Sequence, residues 1–349
     1  EKYTGELGVG LISSKGLIEG PFAKGKGSFI VSGRRTYIDA LAQPIILAVN
    51  NGNTAGYYFY DLNAKANYEI NSKNRVYLSG YFGRDKFYLN AKETFEDNSY
   101  KTKTNFGWGN ATGTARWNHI VNQKLFSNTS FIYSFYELAI KADEEENGSE
   151  LFSIRYGSGI SDYSLKQDFD WYANNKHKVK FGAVATHHTF TPDALVIKDG
   201  LLGEGIDRKT EYTSIETGLY AEDEWKITNR LKSLYGLRLS TFTSNNKTYV
   251  NPEPRIALAY NLTSDLALKA SYATMNQYIH LLSTSGVGLP TDLWVPATEK
   301  VKPQSSQQVA AGLAKDFNKQ NFSVTLEGYY KTMNNIIGYK EGASFLAIQ

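Results

Sequence analysis

The stretch YYFYDLNAKANYEI, residues 57–70, poses a choice between two solvents. From Tyr58 onward the even positions are Tyr58, Tyr60, Leu62, Ala64, Ala66, Tyr68 and Ile70. The odd positions are Phe59, Asp61, Asn63, Lys65, Asn67 and Glu69. Strand side chains alternate between faces, so this segment has one apolar and one polar face. A soluble sandwich sets a protein core against the apolar face. An outer-membrane barrel sets lipid there and water, or a plug, on the other side.

The same parity recurs elsewhere. Residues 108–118 place Asn110, Thr112, Thr114, Arg116 and Asn118 against Ala111, Gly113, Ala115 and Trp117. Residues 322–331 place Thr325, Glu327, Tyr329 and Lys331 against Phe322, Val324, Leu326, Gly328 and Tyr330. A dry core cannot take so many charges, so Asp61, Asn63, Lys65, Asn110, Arg116 and Glu327 are expected to face a hydrated lumen. Lipid then wets the other parity. Aromatic residues near segment ends, among them Trp117, Trp225, Tyr260 and Tyr330, suit interfacial girdles.

Composition narrows the class. The chain has 349 residues and no cysteine, and its mean hydropathy is −0.41. No apolar run approaches the ~20 residues of a spanning helix, and the longest, PIILAV at 44–49, is far too short. Only half of each barrel strand needs to be apolar, so a barrel stays open. A net charge of +3 from 38 basic and 35 acidic residues, intermixed along the chain, excludes the basic stripe of a nucleic-acid binder. Without cysteine there are no disulfides, thiolate catalysis or cysteine-bound zinc. The opening EKYTGELGVG lacks the basic start and apolar core of a signal peptide, so a leader is expected to have been removed or the chain to be an internal piece.

About 14 strand-period segments follow one another, the first over residues 3–18. Short turns (NSKN, NQK, ANNKH, TNR, TSD, NKQ) alternate with longer polar loops, including an Asn- and Gly-rich loop after residue 40, NAKETFEDNSYKTKT and DEEENGSE. Sorting of short turns to one end and long loops to the other is the mark of strands crossing a membrane up and down. Greek-key sandwiches have no reason to sort loops this way. Several segments reach 13 to 20 residues, against ~5–6 for globular strands. The expected class is all-β, an antiparallel transmembrane barrel. A large soluble β protein with one solvated face and a passive 14-stranded porin or fatty-acid-type channel are the competitors.

GLISSKGLIEGPFAKGKGSFIVSGRRTYIDAL, YYFYDLNAKANYEINSKNRVYLSGYFGRDKF, LYAEDEWKITNRLKSLYGLRLS and the long segment from NPEPRIALAYNL to SSQQVAAGL resemble TonB-dependent outer-membrane receptors. The resemblance covers essentially the whole chain and is nearest to the subgroup with a carboxypeptidase-regulatory-like N-terminal domain. It implies a 22-stranded barrel filled by a plug, a Gram-negative outer-membrane location, import of a scarce ligand, and no enzyme activity, cofactor or metal. The implied partners are outer-membrane lipid, the receptor's own plug, the TonB energy-coupling complex, an unidentified small ligand and, beyond these, an outer-membrane lipoprotein or other envelope partner. No plug is visible, and the ending GYKEGASFLAIQ falls inside a loop. Residues 1–349 are therefore expected to be a single, partial barrel domain, incomplete at the C-terminus.

Candidate sites are few. The loop QYIHLLSTSGVGLPTDLWVPATEKVKPQ carries His280, Asp292 and Trp294 with Pro290 and Pro296, and suits a ligand gate as well as a loop folded inward onto its neighbours. Of Arg34 and Arg35, one should face the lumen. His187 and His188 point to opposite faces, which argues against joint metal ligation. Asp143 to Glu146 lack the spacing of a calcium loop. Glu222, Asp223 and Glu224 read as charge at the short-turn rim. No Ser–His–carboxylate set can be placed without knowing the strand pairing.

Overall fold

The computed structural model describes residues 2–199, 205–282, 293–317 and 321–338. Its strands are β1 Thr4–Val9, β2 Ser13–Phe22, β3 Gly27–Thr36, β4 Thr54–Asn71, β5 Asn74–Phe95, β6 Asn98–Asn122, β7 Leu125–Glu146, β8 Ser149–Tyr172 and β9 His177–Asp199. They continue as β10 Gly205–Lys226, β11 Leu231–Ser244, β12 Lys247–Asn261, β13 Leu266–Gln277, β14 Ile279–Leu282, β15 Leu293–Pro296, β16 Gln304–Phe317 and β17 Phe322–Asn334. Fifteen of them form one antiparallel sheet in chain order, with the two-stranded β14–β15 hairpin standing apart between β13 and β16. The segment expected as one strand over 3–18 is broken by a turn at residues 10–12, closed by Gly10 N–H to Ser13 O at 2.9 Å. That break brings the sheet to fifteen strands instead of about fourteen.

Cross-strand register shows which residues share a face, because directly opposed residues point the same way. Asp61 is opposite Gly83, which is opposite Asn110. Asn67 leads through Tyr77 to Arg116, Ser130, Lys166, Val184 and Gly218. Glu327 is opposite Gly312, which is opposite Lys269 and then Ala259. The other face carries the row Ala66, Leu78, Ala115, Phe131, Leu165 and Ala185. Leu62, Leu78, Phe131 and Leu165 on it are each about half exposed, an apolar belt with no protein against it. Trp117, Trp225 and Tyr260 border this belt at the short-turn end.

Two stretches expected as long loops are tall hairpins. Strands β5 to β10 run 22 to 25 residues, where about 10 cross a bilayer. Their upper halves project past the apolar belt, and in the hairpin tips polar side chains stand on both faces, so the alternation that marks a strand in sequence is lost there. Polar pairs replace it: Lys103 bonds Glu145 at 2.6 Å and Tyr100 bonds Glu146 at 2.7 Å. The acidic run is thus tied into neighbouring strands. Its tip is the two-residue turn Asn147–Gly148, both at positive φ (49° and 87°), as a tight hairpin turn of this hand requires.

The Asn- and Gly-rich loop after residue 40 begins instead with a helix, α1 Ile38–Val49, beside β4. Its sequence shows no polar outward stripe of the kind that advertises a surface helix, and only the tertiary setting reveals it.

Replacing Gly148 by Val forces a β-branched residue to φ near 87°. The expected cost is about 1 kcal/mol or more, read as roughly five-fold faster amide exchange confined to the tip of the β7–β8 hairpin.

Candidate functional site: a hairpin folded onto the inner face

The β14–β15 hairpin crosses from β13 to strands far away in the sheet. Trp294 on β15 meets the ring of Tyr136 on β7 edge-on, centroids 6.4 Å apart at 74°, and β15 also touches β8 and β9. Such contacts require the sheet to curl toward the face that bears Asn110 and Tyr136. That polar face is therefore the inside of the barrel, and the apolar belt is its outside.

Tyr278, between β13 and β14, anchors the hairpin. Its ring stacks flat on Phe242 at 5.0 Å and 1°. Its hydroxyl meets Ser240 Oγ at 2.7 Å and accepts from Asn251 Nδ2 at 2.8 Å. Phe242, Tyr278 and Ala297 are fully buried together, with Tyr249 packed against them. Past the hairpin, Ala297 N–H donates to Tyr278 O at 2.7 Å, and the Tyr249 hydroxyl donates to Thr298 O at 2.7 Å. Ring stacking of this kind adds about 0.5–1.5 kcal/mol beyond area burial.

Beside the anchor runs a chain of charged groups from separate strands. His188 Nδ1 bonds Asp162 Oδ1 at 2.7 Å, and Arg238 Nη2 bonds Glu216 Oε1 at 3.2 Å. Arg238 Nε stands 3.9 Å from Glu253 Oε2, and Ser240 Oγ donates to Glu253 Oε1 at 2.7 Å. A cavity of about 490 Å³ opens between this network and the hairpin. Asn110, Tyr136, Asp162 and Glu216 line it from the wall, and Gln277, Tyr278 and Trp294 from the hairpin side.

Register also places Asp162, His188 and Ser214 in one row across β8, β9 and β10. The row is not a hydrolytic triad. His188 Nε2 and Ser214 Oγ are both buried and neither makes a hydrogen bond among the described residues, whereas nucleophilic catalysis needs that bond and access to substrate. Among the described residues no group of three or more His, Asp and Glu is arranged to hold a metal ion.

The sequence candidates fall as follows. Asp61, Asn63, Lys65, Asn110, Arg116 and Glu327 all lie on the inner face by register. Asp61 is engaged within the chain by Arg34, at 2.9 Å to Nε and 2.7 Å to Nη2, while Arg35 stacks over Tyr58 on the outside. Trp294 packs on Tyr136, and Asp292 lies outside the described residues. His280 is completely buried. Neither of its ring nitrogens has a hydrogen-bond partner among the described residues. His187 and His188 lie on opposite faces, and only His188 is buried. Asp223 sits at the short-turn rim, bonded to His177 at 2.6 Å and Tyr235 at 3.0 Å. The Phe242–Tyr278 anchor and the Glu216–Arg238–Glu253 chain escaped sequence reading. Phe242 between Ser240 and Ser244 on a polar parity was the one available signal.

Truncating Tyr278 to Ala removes a buried ring and both hydroxyl contacts. A loss of about 3–5 kcal/mol in the anchoring of the hairpin is expected, visible as new protease cleavage within residues 279–296 while the sheet stays intact. Burial also holds the His280 imidazole below its ordinary value of 6.5. The folded hairpin then binds fewer protons than the released one, so its stability is full above pH 6.5 and falls as pH drops through that value. Cleavage in 279–296 should rise on acidification, and His280→Phe should flatten that rise.

Comparison with known proteins agrees with this architecture. The family described as TonB dependent receptor-like, beta-barrel matches residues 42–347. Comparison with curated protein sequences gives no match. Among solved structures, the copper transporter OprC superposes with a TM-score of 0.63 at 12% identity, covering 95% of this chain and 52% of that one. The ferripyoverdine receptor of the Pseudomonas aeruginosa outer membrane gives 0.62 at 11%, covering 95% and 48%. The siderophore receptor PiuA from Acinetobacter baumannii gives 0.58 at 13%, covering 94% and 56%. The chain thus spans about half the length of these structures, and at such identities the likeness is one of fold. With a family match over most of its length and a barrel whose inner and outer faces separate by register, the chain belongs to the TonB-dependent receptor β-barrel family.

Proposed function

We propose that this chain forms the barrel wall and outer hairpins of a receptor that imports a scarce ligand across the Gram-negative outer membrane, driven through TonB. The observation that carries the reading is the filled upper interior. Phe106, Leu138, Phe190 and Phe242 are buried on the inner face, and the β14–β15 hairpin is anchored on Phe242 and reaches Tyr136, β8 and β9 across the interior. A passive porin needs an aqueous channel through the same space. Family membership supports the import reading as well.

In this proposal the polar residues Asp61, Asn63, Lys65, Asn110, Arg116 and Glu327 make the wetted wall along which a plug rests and is displaced. Trp294 and the rest of the hairpin form the constriction that a ligand meets from outside, with Asp292 and His280 in the same segment. Among the described residues β1 and β17 each have a single partner in the sheet. Backbone groups left open in hydrocarbon are too costly to persist, so further strands are taken to complete the cylinder. The partners in this reading are membrane lipid, the plug and the TonB complex. Selectivity resides in the outer loops and plug.

The complete receptor in planar bilayers tests it. Closed baselines without applied ligand or TonB force are expected. A steady open pore would replace the importer by a passive channel.

A further inference from the structure

We propose that α1 lies in the outer leaflet as an interfacial anchor, with its outward side on lipid acyl chains and its inward side clamped to the barrel's exterior. This rests on the outer-membrane barrel reading above and adds an element that crosses no membrane.

The helix is inside out for a water-exposed element. Its inward positions are Asp39, Ala42, Gln43 and Ile46, at spacings of one helical face. Both polar side chains of the helix are thus turned toward protein: Asp39 is buried, and Gln43 Oε1 accepts from the Tyr88 hydroxyl at 2.9 Å. The outward side shows Ile38, Leu41, Pro44, Ile45, Leu47 and Val49, all exposed. No polar side chain lies among them. A helix with that distribution has an apolar solvent or a covering partner on its outer side.

Its location selects lipid. Tyr88 shares its strand parity with Leu78 and Phe82, and it lies over Gly56, its opposed residue, where a Cβ would strike the Tyr88 ring. The helix is therefore docked on the outside of the barrel. Below it on β4, Tyr58, Tyr60, Leu62, Ala64 and Ala66 continue down the belt without one charge. Around the level of the helix, Arg35 stacks on Tyr58 at 5.1 Å, and Arg84, 3.8 Å from Glu137, and Lys86 lie on the same exterior parity of β5. Tyrosine with basic side chains is the composition of a membrane–water interface facing anionic headgroups. Twelve residues make a helix of about 18 Å, too short to span and suited to lying in the interface plane.

The absence of cysteine permits single spin labels on the intact receptor in lipid bilayers, at Leu41→Cys, Ile45→Cys and Leu62→Cys. Power saturation then compares collisions with oxygen, which concentrates in acyl chains, and with an aqueous nickel chelate. The proposal expects oxygen to dominate at all three. Chelate access at 41 and 45 with oxygen dominant at 62 overturns it and leaves the barrel reading intact. Shielding from both agents at 41 and 45 also overturns it, since a protein partner or second copy then covers the helix. Chelate access at 62 itself removes the bilayer reading, and the helix proposal falls with it.

Discussion

Everything in this molecule hangs on cross-strand register. Side chains in a strand repeat every two residues, so a slip of one residue exchanges the inner and outer faces along a whole strand. Fifteen strands paired in chain order keep the faces separated only because every pair obeys the same parity. The few register shifts are local. One between Gly157 and Gly159 and one between Thr210 and Tyr212 lie well above the short turns, next to the packed upper interior. Irregularities there re-aim side chains without inverting the belt below.

The two faces then solve opposite problems. Outside, small, aliphatic and aromatic side chains stand exposed, and charge is confined to rims such as the His177–Asp223 pair. Inside, charges are numerous and are answered by partners on neighbouring strands, as with Arg34–Asp61 and Lys180–Asp170. Exposed pairs of this kind contribute about 0–1 kcal/mol each, so they set the character of the surface more than its stability. The upper interior differs. There the aromatic stack of Phe242 and Tyr278 excludes water, and Ser240, Asn251 and Glu253 satisfy the polar atoms brought in with it. A local protein core inside a polar wall is what distinguishes a constricted interior from an open channel.

The hairpin is an outer segment fixed at both ends of its reach. Its base is anchored by buried rings and backbone bonds at Tyr278 and Ala297. Its arm reaches Tyr136 on the far wall. Between anchor and contact lies a cavity bordered by two carboxylates and an indole. Such a mixture of rigid aromatic surface and a few polar groups is the usual make-up of a small-molecule site.

Much of the fold was legible in the chain itself. The alternation at 57–70, 108–118 and 322–331 fixes which residues share a face, because strand geometry allows only two, and the sorted turn lengths dictate an up-and-down path. Resemblance placed the family. The tall hairpins were not legible, since their tips carry polar side chains on both parities and show no apolar alternation, and NAKETFEDNSYKTKT and DEEENGSE therefore read as loops. Nor was α1, whose polar residues face protein and whose apolar residues face outward, the reverse of the pattern that sequence reading seeks. The Phe242–Tyr278 anchor and the Asp162–His188 and Glu216–Arg238 pairs join positions 22 to 36 residues apart. Only the curl of the sheet and its register bring them together, because contact across an interior depends on geometry that no local pattern encodes.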